Sequence, residues 1–173
     1  MTRSSPSTLR ALPPDVIANA TRGVVRLSRQ VEITLSEFQL SVSQFRLLDR
    51  LSAGSAAGRS LAEWLAVKPP SITALVDGLV ARGLVSRTAD TAHRRRVEQD
   101  LTEDGRALHE AVTTALAGRL SELIVHADDP ARGQAMIAAL ADWNVVLERA
   151  RDAKHAAAEL LKSQAKAQQE SAL

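Results

Sequence analysis

Residues 61–102 limit what this chain can become more than any other stretch. Residues 61–67, with Leu61, Ala62, Trp64, Leu65 and Val67, form a short amphipathic segment. Lys68, Pro69 and Pro70 interrupt it. A second helical pattern follows over residues 71–82, and Gly83 is placed to stop it. Residues 84–88 read as a strand, residues 89–95 as a polar, arginine-rich turn, and residues 96–101 as the return strand. Helix, tight turn, helix and then a hairpin with a basic tip is the order of a winged helix-turn-helix. Such a unit seats its second helix in the DNA major groove and can lay the hairpin tip along the backbone or the minor groove.

The second helical pattern has two different faces. Ile72, Leu75, Val76 and Leu79 fall at i, i+3, i+4 and i+7, an apolar stripe for a core. Pro70 suits the first turn, where a missing N–H costs nothing. The opposite face carries Pro70, Thr73, Ala74, Asp77 and Ala81, all small or short, so it can approach a groove floor closely. A purely solvated helix face carries more lysine and glutamate than this one. Between residues 59 and 96 stand seven basic residues (Arg59, Lys68, Arg82, Arg87, Arg94, Arg95, Arg96) and three acidic ones (Glu63, Asp77, Asp90). That gives the stretch +4, against +2 for the whole chain, and concentrates positive charge where a polyanion would dock. A run such as 94–96 is weak evidence by itself; at the tip of a hairpin that follows two turn-linked helices it has a site to serve.

With these residues in view, the stretch resembles the MarR (multiple antibiotic resistance regulator) family of bacterial transcription factors. The resemblance rests on Leu61, Ala62 and Val67, on residues 71–77 (Ser-Ile-Thr-Ala-Leu-Val-Asp), and on residues 83–87 (Gly-Leu-Val-Ser-Arg). It continues through Asp90, Arg94, Arg95 and residues 101–105 (Leu-Thr-Glu-Asp-Gly). There are departures. His93 stands where an aspartate is usual, Gly78 where an arginine is frequent and Val80 where a glutamate is frequent. The resemblance implies a mainly α fold with a small β-hairpin wing, a winged helix-turn-helix joined to a helical dimerisation region. It also implies a DNA-contacting set: Lys68, Pro70, Ser71, Thr73, Ala74, Asp77, Arg87, His93, Arg94, Arg95 and Arg96.

The remaining chain divides around that unit. Residues 1–14 are rich in Ser, Thr and Pro and read as a disordered tail. Residues 15–38 form a helix in which Ile17, Ala20, Val24, Leu27, Val31, Leu35 and Phe38 recur at steps of three and four. Ser41 or Ser43 caps the next helix, which reaches about Ser52, and residues 53–58 read as a small-residue loop. Thr102 is a natural N-cap for a long helix to about Ala127, with Leu108, Val112, Leu116, Leu120 and Leu123 on its apolar positions. Asp128, Asp129 and Pro130 end it and start another, in which Met136, Leu140, Trp143, Leu147 and Ala150 follow a heptad-like spacing. The expected organisation is a winged helix-turn-helix over residues 41–101, a dimerisation region over 15–40 and 102–165, and a fraying tail over 166–173. The terminal helices have more apolar surface than one small winged helix can cover. The residues alone say that these faces need a partner. The resemblance supplies a second copy of the chain, with Ile17, Val24, Leu120, Leu140, Trp143 and Leu147 at the interface.

Composition removes several other classes. There is no cysteine, which excludes disulfides and thiolate chemistry. Aromatics are only 2% of residues, with no tyrosine, so a stacking surface for single-stranded nucleic acid is not expected. No apolar run is long enough to span a bilayer, and the expected location is the cytoplasm. His93, His109, His126 and His155 have no metal-ligand spacing with one another, and neither a phosphate loop nor a nucleophile elbow is present. No enzyme activity, metal or cofactor is expected. The resembled family often binds small aromatic or anionic effectors; Phe38, Phe45, Trp64 and Val112 could line such a cleft here, with Arg46 as anion partner. A chain this poor in aromatics equally needs the same residues in its core. The function expected is a dimeric transcriptional repressor on a palindromic operator in double-stranded DNA, open to release by an effector. The alternatives are a sequence-blind architectural DNA binder and a winged-helix module that binds protein.

Overall fold

Side-chain caps and prolines mark most of the helix starts in the computed structural model, which describes residues 12–89 and 97–171. The first helix, α1 (Pro14–Glu37), begins on two prolines, Pro13 and Pro14. Helix α2 (Val42–Ser52) starts from a capping box: the Gln44 N–H donates to Ser41 Oγ at 3.2 Å, and the Ser41 N–H donates to Gln44 Oε1 at 2.9 Å. Ser41, not Ser43, is therefore the cap. Helices α3 (Gly58–Leu65) and α4 (Pro69–Ala81) are joined by a tight turn, with Pro69 and Pro70 at the first two positions of α4. Strands β2 (Val85–Ala89) and β3 (Val97–Leu101) pair antiparallel, Val85 opposite Leu101 and Ala89 opposite Val97. Helix α5 (Glu103–Ile124) is capped by Thr102, whose hydroxyl accepts from the Gly105 N–H at 3.0 Å.

One sequence expectation needs correcting here. Residues 53–58, read as a loop, contain a third strand, β1 (Ala56–Ala57), paired with the free edge of β3, and α3 starts at Gly58, ahead of Leu61. Alanine has little strand preference, so this two-residue strand exists through the ladder it completes and leaves no local signal. The sheet order is β1-β3-β2.

The chain forms two compact units, one up to Arg119 and one from Leu120. The core of the first is built from Leu35 of α1, Leu47, Leu48 and Leu51 of α2, Leu61 and Leu65 of α3, and Ile72, Val76 and Leu79 of α4, with Val85, Leu101 and Val112 closing it. The expected stripe of α4 is thus the buried one, with Leu75 half-buried. Gly105 is buried where α5 passes the start of β2. A Cβ there would lie 2.0 Å from the Leu84 carbonyl oxygen, so only glycine fits the approach as it stands.

In the second unit, Asp129 Oδ1 accepts from the Ala131 N–H at 3.0 Å and opens α6 (Pro130–Ser171). This helix runs for 42 residues, and residues 166–171 of the expected tail belong to it. Along it Met136, Leu140, Trp143 and Leu147 are exposed, Trp143 and Leu147 at 61% each. In α1, Ile17 and Val24 are exposed too, whereas Leu120 of α5 is half-buried. Among the described residues no helix is long and apolar enough to cross a membrane.

Candidate nucleic-acid interface

The outer face of α4 is what the sequence pattern describes. Pro70, Ser71, Thr73, Ala74, Asp77 and Ala81 are all exposed, while Ile72, Val76 and Leu79 point into the core. The prolines fix the first turn without removing an intrahelical hydrogen bond. Lys68 takes the N-cap position in an extended conformation (φ −71°, ψ 150°) and is exposed, so a basic residue leads the helix. The Thr73 hydroxyl donates to the Pro69 carbonyl at 3.2 Å and keeps its acceptor capacity. The first two residues of α4 are prolines and the Ser71 N–H donates to the Lys68 carbonyl at 2.9 Å, so the backbone offers no free donors there; a lysine and short exposed side chains can hold a phosphate through the ammonium and admit base edges.

The wing strand is tied to this face. Arg87 of β2 donates to Asp77 Oδ1 at 2.5 Å, with the two side chains 38% and 55% exposed. The pair brings two of the expected DNA-contacting residues together and partly offsets the arginine's charge. The last described pair of the hairpin is Ala89 with Val97. His93, Arg94, Arg95 and Arg96 lie outside the described residues. Between α3 and α4 opens a cleft of about 770 Å³, lined by Arg59, Ala62, Val67, Pro69, Ile72 and Thr73 among others. Thr73 belongs both to it and to the outer face of α4.

Two residues that depart from the resembled pattern do not lie on the outer face. Gly78 and Val80 are half-buried, and a Cβ on Gly78 would point to Gln44 of α2 at 3.9 Å. Arg82, which the charge count places with the DNA-attracting residues, instead donates to the carbonyls of Gln39 at 2.8 Å and Phe38 at 3.2 Å, at the end of α1. Sequence reasoning missed this role. The only local hint was a basic residue just before the terminating glycine of a helix.

Four of the five effector candidates lie in or against the core, and Arg46 is exposed. Val112 is fully buried, and Phe38, Phe45 and Trp64 pack against the core. Phe45 stacks on His109 with ring centroids 5.8 Å apart, and His109 Nε2 lies 3.1 Å from Asp49 Oδ1. The Arg46 guanidinium sits 5.6 Å from the centre of the Trp64 ring. Among the described residues no three His, Asp or Glu side chains are grouped to hold a metal ion.

Comparison with known proteins agrees with the fold. Residues 38–96 match the sequence model of the MarR family. The chain is 32% identical over 101 residues to an uncharacterised HTH-type transcriptional regulator, YhbI, of Bacillus subtilis, covering 57% of this chain and 66% of that protein. It is 38% identical over 66 residues to the HTH-type transcriptional repressor MdtR of the same organism, covering 38% and 41%. In both cases the match spans less than two-thirds of the relative. Among solved structures, RV1404 from Mycobacterium tuberculosis shares 28% identity with a TM-score of 0.66, covering 80% of this chain and 97% of that one.

Proposed function

The chain belongs to the MarR family, and we propose that it acts as a homodimeric repressor of transcription that binds a palindromic DNA operator. The observation that carries this reading is the outer face of α4, exposed, small-sided and led by Lys68, with Arg87 of the wing strand drawn against it by Asp77. In this reading Ser71, Thr73 and Ala74 face the major groove, Pro70 and Asp77 shape the helix surface, and Lys68, Arg87 and Arg95 hold phosphates. Arg94, flanked by His93 and Arg96 in the sequence, reaches the minor groove.

Dimerisation is supported by the exposed apolar residues of α1 and α6, including Ile17, Val24, Leu140, Trp143 and Leu147, which a lone chain leaves in water. Leu120 of α5, half-buried in the single chain, is the sixth residue expected at the interface. Two-fold symmetry would present two α4 helices to half-sites about one helical turn apart. The relative called a repressor supports the direction of regulation.

The test is selection of bound fragments from random or genomic duplex DNA, followed by footprinting. The expected result is one enriched palindrome protected symmetrically. Binding without sequence enrichment would favour an architectural protein, and no binding to any duplex would favour a protein-interaction module; either overturns the proposal.

A further inference from the structure

Arg82 is exposed, yet its guanidinium is committed inside the molecule. Its two terminal nitrogens donate to two successive carbonyls, Phe38 and Gln39, where α1 ends. Carbonyls at a helix C-terminus lack intrahelical donors and carry the negative end of the dipole. Gln39 adopts a left-handed conformation (φ 55°), which turns the chain out of α1. A planar guanidinium can serve both carbonyls at once, which a lysine's single ammonium does less well.

The next two residues are tied as firmly to α5. The Gly83 carbonyl accepts from the Thr102 hydroxyl at 2.7 Å, and the Leu84 carbonyl accepts from the Thr102 N–H at 3.1 Å. Thr102 is the cap of α5. Three consecutive residues at the C-terminal end of α4 therefore connect to the end of α1 and the start of α5. The other end of α4, with Lys68 and Pro70, is exposed.

We infer that Arg82 is a positioning residue that fixes the direction of α4 relative to α1, and through it the separation of the two recognition helices in a dimer. The inference rests on the dimeric, DNA-binding reading above. The leverage is geometric. Helix α4 has 13 residues and is about 20 Å long. A swing of about 10° about its anchored end would move the DNA-facing end by about 3.5 Å, close to one base-pair step.

The experiment measures affinity for the selected operator and for versions with one base pair added to or removed from its centre. Wild type, Arg82→Gln, Arg82→Lys and Gln39→Gly are compared, each checked by thermal unfolding. Wild type should prefer one spacing by about tenfold or more, the scale of a site defect. Arg82→Gln should narrow that preference to about twofold, because a loosened α4 accepts neighbouring spacings. Arg82→Lys should fall between them. Gln39→Gly keeps both carbonyls and suits the left-handed φ, so it should retain the wild-type preference. If Arg82→Gln binds all spacings more weakly but by the same factor, Arg82 is a phosphate contact and the inference falls while the dimer reading stands. If wild type itself has no preferred spacing, both fall. Should Arg82→Gln lose its cooperative transition, Arg82→Lys decides: a wild-type spacing ratio there overturns the inference, and a narrowed one supports it.

Discussion

Replacing Gly105 by alanine sets two effects of opposite sign against each other. In the interior of a helix the change ordinarily stabilises by about 0.5–1 kcal/mol. At this position the new methyl would sit 2.0 Å from the Leu84 carbonyl oxygen, 3.0 Å from its carbon and 3.4 Å from Leu101 Cδ2. Carbon–oxygen contacts are comfortable from about 3.3 Å, so β2 and α5 must separate by about 1 Å. Leu84 is held against such a shift. Its side chain is buried, its N–H donates to Leu79 at 3.0 Å, and its carbonyl accepts from Thr102. Overpacking of this kind costs about 1–3 kcal/mol, and loosening the Thr102 bond costs about 1 kcal/mol more. Net of the helix gain, Gly105→Ala should destabilise by about 1–3.5 kcal/mol, which lowers Tm by about 2–14 °C in a chain of this size. The assay is circular dichroism melting, with Gly118→Ala in parallel. Gly118 lies in the same helix, is exposed and has nothing within 4 Å of an added Cβ, so that variant should gain about 0.5–1 kcal/mol. A Gly105→Ala protein as stable as wild type would refute the close approach of α5 to β2.

Four further outcomes are expected. Ala66 closes α3 in a left-handed conformation (φ 56°, ψ 41°); Ala66→Gly should stabilise by about 0.5–1 kcal/mol, and a lower melting temperature would show that the turn is not strained. The double variant Trp143→Asp, Leu147→Asp places charges on the exposed seam of α6 and should yield monomers or unfolded protein by light scattering; a folded dimer would remove this seam from the interface. If the dimer makes about 6–8 phosphate contacts, log K for the operator should fall against log salt with a slope of about −5 to −7. Arg94→Ala should weaken operator binding by about 1–3 kcal/mol, and full affinity in that variant would take the residue out of the interface.

The features legible in the sequence are those whose cause is local. Ser41, Thr102, Asp129 and the proline pair at the start of α4 act on backbone groups one to three residues away, so their positions announce helix ends directly. The buried stripe of α4 is equally local, since helical geometry alone puts Ile72, Val76 and Leu79 on one side. The features that were not legible depend on distant chain. Ala56 and Ala57 become a strand only because β3, some forty residues later, presents an edge to them. Arg82 finds its acceptors 43 and 44 residues earlier. The aromatic residues show the same limit from the other side: their chemistry fits an effector cleft or a core, and only packing shows that Phe38, Phe45 and Trp64 lie against the core that holds Val112.

The charge count illustrates what that difference means for DNA attraction. Of the four described basic residues between 59 and 96, three have acceptors within the protein: Arg59 with Glu63 at 3.1 Å, Arg82 with the end of α1, and Arg87 with Asp77. The exposed ion pairs contribute little to stability, about 0–1 kcal/mol each, so their effect is chiefly to fix where side chains lie. The fourth, Lys68, is exposed at the head of α4, and the three consecutive arginines at 94–96, which lie outside the described residues, add three positive charges in the sequence. The outer face of α4 is itself nearly neutral, small and close-fitting. In the proposed complex, attraction and reading are therefore divided: the wing and Lys68 draw in and orient the phosphate backbone, and α4, carrying little charge of its own, discriminates base edges once it is held in the groove.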